Sequence, residues 1–507
     1  MNAHSFGFAL LLVSFAGAVQ FGASGCRVER ENPDHCFYAE GDRSCAELDP
    51  ERPFCVAPSC GDAAFGCVAE QPQDPSCHSP CGGGASAEQD DGCVETAGDG
   101  DPGDGDGEPE PDLPGSCGDG ALGPDEDCDD GNAVDEDGCT NACTLPACGD
   151  GILQAGAGEL CDDGNSSPGD GCTASCVPPG ALIWEQLLDL QDQSEDVGRR
   201  VVLTNDDAIV VLHSVDGSFR LAEYDAEGAE QWNFGAPSSE RPSLAIGPGG
   251  ELAVGGVIGI QGLTRLYDPE GNLQWTRNVP AADSSVLDVA IDGLGQVLAV
   301  GYHASSSALL LRYDGLGAEN WSLLEDGGGA LGPVIADAEG GLWAARADPP
   351  SVERYDAGTQ SWSSAASELG PSVGLVADPE ANLYLLASSQ SAFSLSKYDP
   401  GGALLWTVEH DTAGVLESAS GLALLPGGGV LVAGVRFGMP GESDALLSFY
   451  DAEGGSLIPD MLLDGEGTGD LDRFHDVAVS ASGYAVAVGA RQVSGSDSQL
   501  WIRKFEI

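Results

Sequence analysis

All 17 cysteines of this 507-residue chain lie between Cys26 and Cys176. Such density supports two chemistries: covalent bridges formed in an oxidising compartment, or thiolate ligation of metal ions. Zinc sites of the latter kind use CxxC knuckles, and no two cysteines stand three positions apart anywhere in the chain. Disulfides are therefore expected. Aspartates form a second set, because the strings CDDGN place carboxylates at Asp129, Asp130, Asp162 and Asp163. Asp and Asn oxygens at alternate positions are what calcium takes, yet neither string ends in the Glu that closes an EF-hand loop. The competing reading makes them Asx-turns between bridges and is favoured; calcium is the alternative, and no other cofactor is expected. Catalytic patterns are weak: the seven His residues are scattered, and neither His-Glu-x-x-His nor a Gly-rich phosphate loop before a helix occurs.

The elements that carry the cysteines follow in order. Phe6 to Val19 is an apolar stretch too short to span a bilayer and of the right length for a secretory signal, assigned to 1–25. Ala23-Ser24-Gly25-Cys26 then resembles a bacterial lipobox, which implies that Cys26 takes a lipid and becomes the mature N-terminus. Setting Cys26 aside leaves an even number for pairing. Export to the outer membrane or cell surface follows, with the lipid as the only membrane contact; ordinary secretion is the alternative.

Residues 26–95 hold Cys36, Cys45, Cys55, Cys60, Cys67, Cys77, Cys81 and Cys93 in a Pro- and Gly-rich disulfide module. Residues 96–116, TAGDGDPGDGDGEPEPDLPGS, read as an acidic, self-repelling linker. Two similar units follow at 117–147 and 148–180. Cys117, Cys128, Cys139 and Cys143 are spaced C-x10-C-x10-C-x3-C, and Cys148, Cys161, Cys172 and Cys176 are spaced C-x12-C-x10-C-x3-C. The intervening CGDG, CDDGN and DGCT strings recur in both, and the pair resembles the myxobacterial cysteine-rich repeat of secreted and surface proteins. Units this small cannot bury a core, so bridges must substitute for one. Four cysteines allow three pairings, and spacing does not choose among them.

Cysteine-free residues 181–507 repeat on another scale. Tyr-Asp pairs start at Tyr224, Tyr267, Tyr313, Tyr355, Tyr398 and Tyr450, with a degenerate copy at Phe505-Glu506, mostly within the motif Tyr-Asp-x-x-Gly-x-x-x-Trp. A period of roughly 42 to 55 residues with strand-like alternation indicates β-propeller blades. One period resolves into four strands, here lettered a to d: VLDVAID, QVLAVGYH, ALLLRYD and ENWSLL. Seven a–b–c sets are present, but strand d follows only the first six. The opening strand ALIWEQLL, Ala181 to Leu188, is therefore expected to complete the seventh blade and remove its open edge. The fold class is all-β, a seven-bladed propeller preceded by disulfide-rich modules and a signal peptide.

Charge limits the partners. With 83 acidic against 19 basic residues the formal charge is −64, which excludes phosphate-backbone binding by counterion release and docking on anionic headgroups. The b–c and d–a loops vary and carry the insertions, so the face they share is where binding is expected. His213, His303, Arg346, Arg436 and Arg491 fall at or just beyond the ends of b strands and form the candidate rim for a carboxylate or sugar. The Tyr-Asp repeats also resemble the tryptophan-docking repeats of quinoprotein dehydrogenases, but those carry eight blades and a ring of adjacent cysteines at the cofactor. The expected function is a surface lipoprotein whose propeller head binds a protein or glycan. The alternatives are a secreted propeller enzyme acting on polysaccharide or an alcohol, and a structural matrix protein.

Overall fold

The computed structural model describes residues 117–507, apart from residues 125, 191–194, 216, 237–241, 305–306, 326–328, 337–340, 357, 366–369, 390, 412–414, 439–442, 464–470 and 495–496. Before residue 117 it describes only two short antiparallel strands, Phe54–Cys55 and Cys67–Val68, with Cys55 opposite Cys67 in backbone register. The expected signal segment 1–25, Cys26, Cys36, Cys45, Cys60, Cys77, Cys81, Cys93 and the expected linker 96–116 lie outside the described residues.

Seven four-stranded antiparallel sheets make up the C-terminal region. Blade 3 shows the plan: a is Ser285–Ile291, b is Val297–His303, c is Ser307–Tyr313 and d is Glu319–Glu325. Strands b and c are covered by neighbouring sheets on both faces, so they read as apolar runs and are buried almost throughout. Strand d lies at the rim and alternates between exposed and half-buried residues. There is no single core. Seven apolar clusters occur, each drawing on two neighbouring blades, so every seam is its own small core.

The Tyr-Asp-x-x-Gly-x-x-x-Trp motif locks these seams. In blade 3 the Asp314 carboxylate accepts the N–H groups of Leu316 and Ala318, closing the c–d turn, and Gly317 takes a φ of +78°. The tryptophan of the preceding blade, Trp275, donates its indole N–H to the Gly315 carbonyl at 3.2 Å and lies against Gly317. Trp406 does the same to Ala452, and Trp184 on the opening strand to Ala226. Glycine serves twice here, for the left-handed backbone and for the space the indole fills. A Cβ at Gly402 would come within 2.0 Å of Trp362.

Leu182–Leu188 forms strand d of blade 7, pairing antiparallel with Asp497–Glu506 so that Leu182 faces Phe505 and Leu188 faces Leu500. The two ends of the ring share one sheet, as strand counting requires, and no open edge remains.

The two cysteine-rich units share one nested pairing, first cysteine to fourth and second to third. The bridges are Cys117–Cys143 and Cys128–Cys139 in one unit, Cys148–Cys176 and Cys161–Cys172 in the other. The second unit sits on the face of the ring formed by the a–b and c–d turns. Gly169 approaches Leu425 and Pro426 in the a–b turn of blade 6, and Pro168 approaches Gly483 in that of blade 7. Ser175 donates to the Glu506 carboxylate, and the Gly180 N–H bonds the Glu506 carbonyl at 2.7 Å.

Candidate functional site

The inner strands of the seven blades are Asp196–Leu203, Ser243–Ile246, Ser285–Ile291, Leu331–Ala336, Ser372–Ala377, Leu416–Leu424 and Arg473–Ser480. In every blade but the second, the a–b register slips in the first half of the strand. A bulge bends the strand and re-aims the extra side chain. The residues at these slips, among them Arg199, Leu287, Pro333, Val373, Ser420 and His475, line one central cavity of about 470 Å³. Each inner strand begins on the face of the variable d–a and b–c loops, so the cavity lies toward that face. The second cysteine-rich unit is seated on the opposite one.

Two aspartates in the channel wall have a structural task. The Asp288 carboxylate of blade 3 accepts the Val334 N–H of blade 4 at 2.9 Å, and that of Asp476 in blade 7 accepts the Val201 N–H of blade 1 at 3.0 Å. Both donors follow a bulge, where the ladder has slipped, so each aspartate caps its neighbour's irregularity. Both residues are half-buried and line the channel. Burial pushes both up to about 6, against the pull of these N–H groups and of the Arg200 guanidinium.

Positive charge gathers at the loop-face end. Arg199 and His475, from the bulges of blades 1 and 7, line the channel and also a smaller cavity of about 280 Å³ together with Arg473, Glu195, Gln492 and Ser498. A third cavity, containing Phe219 and Tyr302, meets them at Arg199. Burial, then the cations of Arg199, Arg473 and Arg200, push His475 down to about 3, so its ring is neutral at physiological pH. Burial and the Arg473 guanidinium likewise depress Arg199, with Glu195 acting in the other direction.

The five residues expected to form a rim lie toward the ends of b strands, and none lines the channel. His213 is fully buried in strand b of blade 1, with no hydrogen-bond partner for either ring nitrogen among the described residues. His303 is buried in blade 3. Arg346 is held by Glu353 at 2.7 Å, Glu325 at 3.0 Å and the Tyr355 hydroxyl at 2.9 Å. Arg436 pairs with Glu417 and Asp460, and Arg491 lies 3.9 Å from Glu185. Arg346 and Arg436 belong to compensated seam networks. The latter also holds His410, whose imidazole touches Glu417, Asp460 and the Tyr450 hydroxyl and stacks on Phe393.

Sequence reasoning passed over Arg199, Arg200, Arg473, His475, Asp288 and Asp476. A signal was present. Arg199-Arg200 is one of two basic doublets in the chain, with Arg503-Lys504, and Asp-Val-Ala recurs at 288–290 and 476–478 inside strands that otherwise read as apolar. Gly370-Pro371-Ser372-Val373-Gly374 spells the pattern of a serine nucleophile elbow. It opens a β-strand, however, where such an elbow needs a strand-to-helix turn.

In the cysteine-rich units the first aspartate of each CDDGN string is a hub. Asp129 accepts the N–H groups of Gly118, Asp119, Gly120 and Gly131, and Asp162 those of Gly149, Gly151 and Gly164. These donors outweigh desolvation and hold both carboxyls below the usual range. Oxygens that face backbone N–H dipoles are poorly placed for calcium. The second aspartates behave differently: Asp130 neighbours Asp137, which raises it, and Asp163 bonds the Cys172 N–H at 2.8 Å.

Residues 115–144 and 140–177 match a family model described as a domain of unknown function, DUF4215. No curated protein matches the sequence. Among solved structures the chain is similar to the WD40 β-propeller domain of Doa1, at 16% identity over 64% of this chain and 96% of that one, TM-score 0.46. It is also similar to the β-propeller domain of Cps50 (Swd1) from Myceliophthora thermophila, at 13% identity over 64% and 100%, TM-score 0.47. A third similar structure is a catalytically inactive virginiamycin B lyase from Staphylococcus aureus with quinupristin, at 10% identity over 64% and 99%, TM-score 0.46. At such identities the likeness concerns fold alone.

Proposed function

We propose that this is an exported surface protein that displays a propeller as a binding head for a protein or glycan. A lipid on Cys26 anchors it, the disulfide-rich modules and acidic linker form the stalk, and the ring is carried at the end. The observation that carries this reading is the polarity of the ring. The second cysteine-rich unit covers part of the a–b and c–d turn face, at Leu425–Pro426, Gly483 and Glu506. The second cysteine-rich unit is not seated on the opposite face, which carries the variable loops and the channel mouth. Variable loops on a rigid scaffold are the usual place for recognition.

The test is made on a bacterial host expressing the full chain. Intact mass of the membrane-extracted protein is expected to show a diacylated N-terminus at Cys26. Protease added to intact cells is expected to release the ring by cutting in 96–116. A chain found unlipidated in the medium removes the anchor, and a ring protected until the cells are lysed removes the display.

A further inference from the structure

Elsewhere in this acidic chain several arginines find carboxylates, while Arg265 and Arg277 are held by hydroxyl or carbonyl oxygens. Arg312 pairs with Asp292, Arg346 with Glu353, Arg436 with Asp460 and Arg503 with Glu185. At the channel mouth, Arg199 and Arg473 make no ion pair among the described residues. Both line the smaller cavity, Arg199 donates to the Ser214 hydroxyl at 3.4 Å, and the Arg473 charge acts on Arg199 more strongly than that of Glu195 does. Two guanidinium groups held near each other repel, and that cost is sustained only because the backbone fixes where they stand. Arg199 sits at a bulge of blade 1, and Arg473 opens the inner strand of blade 7. Both are tied into the sheet at the seam where the ring closes.

We infer that the channel mouth is a binding site for a small, hydroxyl-bearing oxyanion, with Arg199 and Arg473 as the paired guanidinium clamp. The inference rests on the reading of the loop face as the binding face and names the ligand class for it. Guanidinium forks match the oxygen pairs of carboxylate, phosphate or sulfate. The neutral His475 ring, Gln492 and Ser498 supply polar contacts of the kind a hydroxylated ligand uses, and the adjoining cavities give room for a monosaccharide-sized molecule. The groups facing the site are Arg199, Arg200, Arg473, His475, Glu195, Asp288 and Asp476. The two aspartates lie deeper and lose their charge as pH falls through about 6, leaving the cations less compensated.

Isothermal titration calorimetry on the full chain tests this, with galacturonate, inorganic phosphate and sulfate as probes and galactose as the neutral control. Saturable binding of at least one oxyanion and none of galactose is expected. The tightest probe identifies the source of the anionic group. Arg473→Gln, which changes an exposed side chain, is expected to weaken binding at least tenfold, as is Arg199→Gln. Arg220→Gln, on strand c of blade 1, is expected to leave it unchanged. Affinity is expected to rise from pH 7.5 to 5.5. Absence of saturable binding by all three anions, or binding indifferent to Arg473→Gln, overturns the inference. Surface display is read from lipidation and protease access, so the two can fail separately.

Discussion

The cysteine-rich units and the propeller are both repeats, yet they are fixed by opposite means. In residues 117–180 each unit is held by one aspartate hub and two nested bridges, and Leu122, Leu145, Leu153 and Leu160 remain exposed. In residues 181–507 no covalent link exists, and order comes from seven apolar seams. The difference follows from size. A unit of about 30 residues cannot bury enough surface to offset chain entropy. A blade cannot either, but it has neighbours on both sides and borrows a core from each.

The sharpest way to break the contrast is at ring closure. Removing residues 181–188 from the full chain strips Trp184, Leu187 and Leu188 from two seams and bares the strand Asp497–Glu506. Loss of cooperative unfolding and aggregation are expected in a thermal melt with light scattering. A stable monomer lacking those residues would mean that the ring closes by other contacts.

Reduction should separate the regions next. Each bridge in so small a unit contributes about 2–5 kcal/mol. Dithiothreitol is therefore expected to make 117–176 protease-sensitive while the cysteine-free ring keeps its melting temperature. Chelation with bridges intact should change neither, because Asp129 and Asp162 are occupied by backbone donors. A saturable calcium signal in calorimetry would reverse that expectation.

The smallest of the three effects lies inside one seam. Among the described residues His213 is buried without a hydrogen-bond partner, and burial, then the Arg220 charge, hold it down to about 4 against 6.5 when unfolded. Stability from its neutral ring is present above pH 6.5 and lost as pH falls toward 4, on the order of 3 kcal/mol in full. His213→Leu should flatten that acid limb in urea titrations at pH 7 and pH 4.5. His410 works in the other direction, since Asp460 and Glu417 raise it against burial. Its contribution is present below 6.5 and lost as pH rises through its folded value, so the variant isolates one limb.

The repeat was legible in sequence because each Tyr-Asp turn needs an aspartate to close it, a glycine at positive φ and a tryptophan from the blade before. Those demands fall on side chains and leave a readable period. Blade number and the role of Leu182–Leu188 followed by counting. The channel mouth was not legible in the same way. Arg199 and His475 reach the axis because a bulge shifts the alternation by one residue, and a slip of one turns an outward position inward. Convergence of two blades distant in sequence also leaves no local mark. At the b-strand ends, Arg346 and Arg436 are engaged by carboxylates within and between blades, which position along a strand does not reveal.

Closure by the opening strand also sets how the molecule answers to force. The chain leaves the second cysteine-rich unit at Gly180 and runs straight into Leu182–Leu188, antiparallel to Asp497–Glu506. A load applied at Gly180 against the loop face would run along that pair. The six register positions from Leu182 to Leu188 are then loaded together in shear, and they do not open one after another from an end. Tension drawn through the tether is met by the full length of the closing strand, at the same seam that carries Arg199 and Arg473.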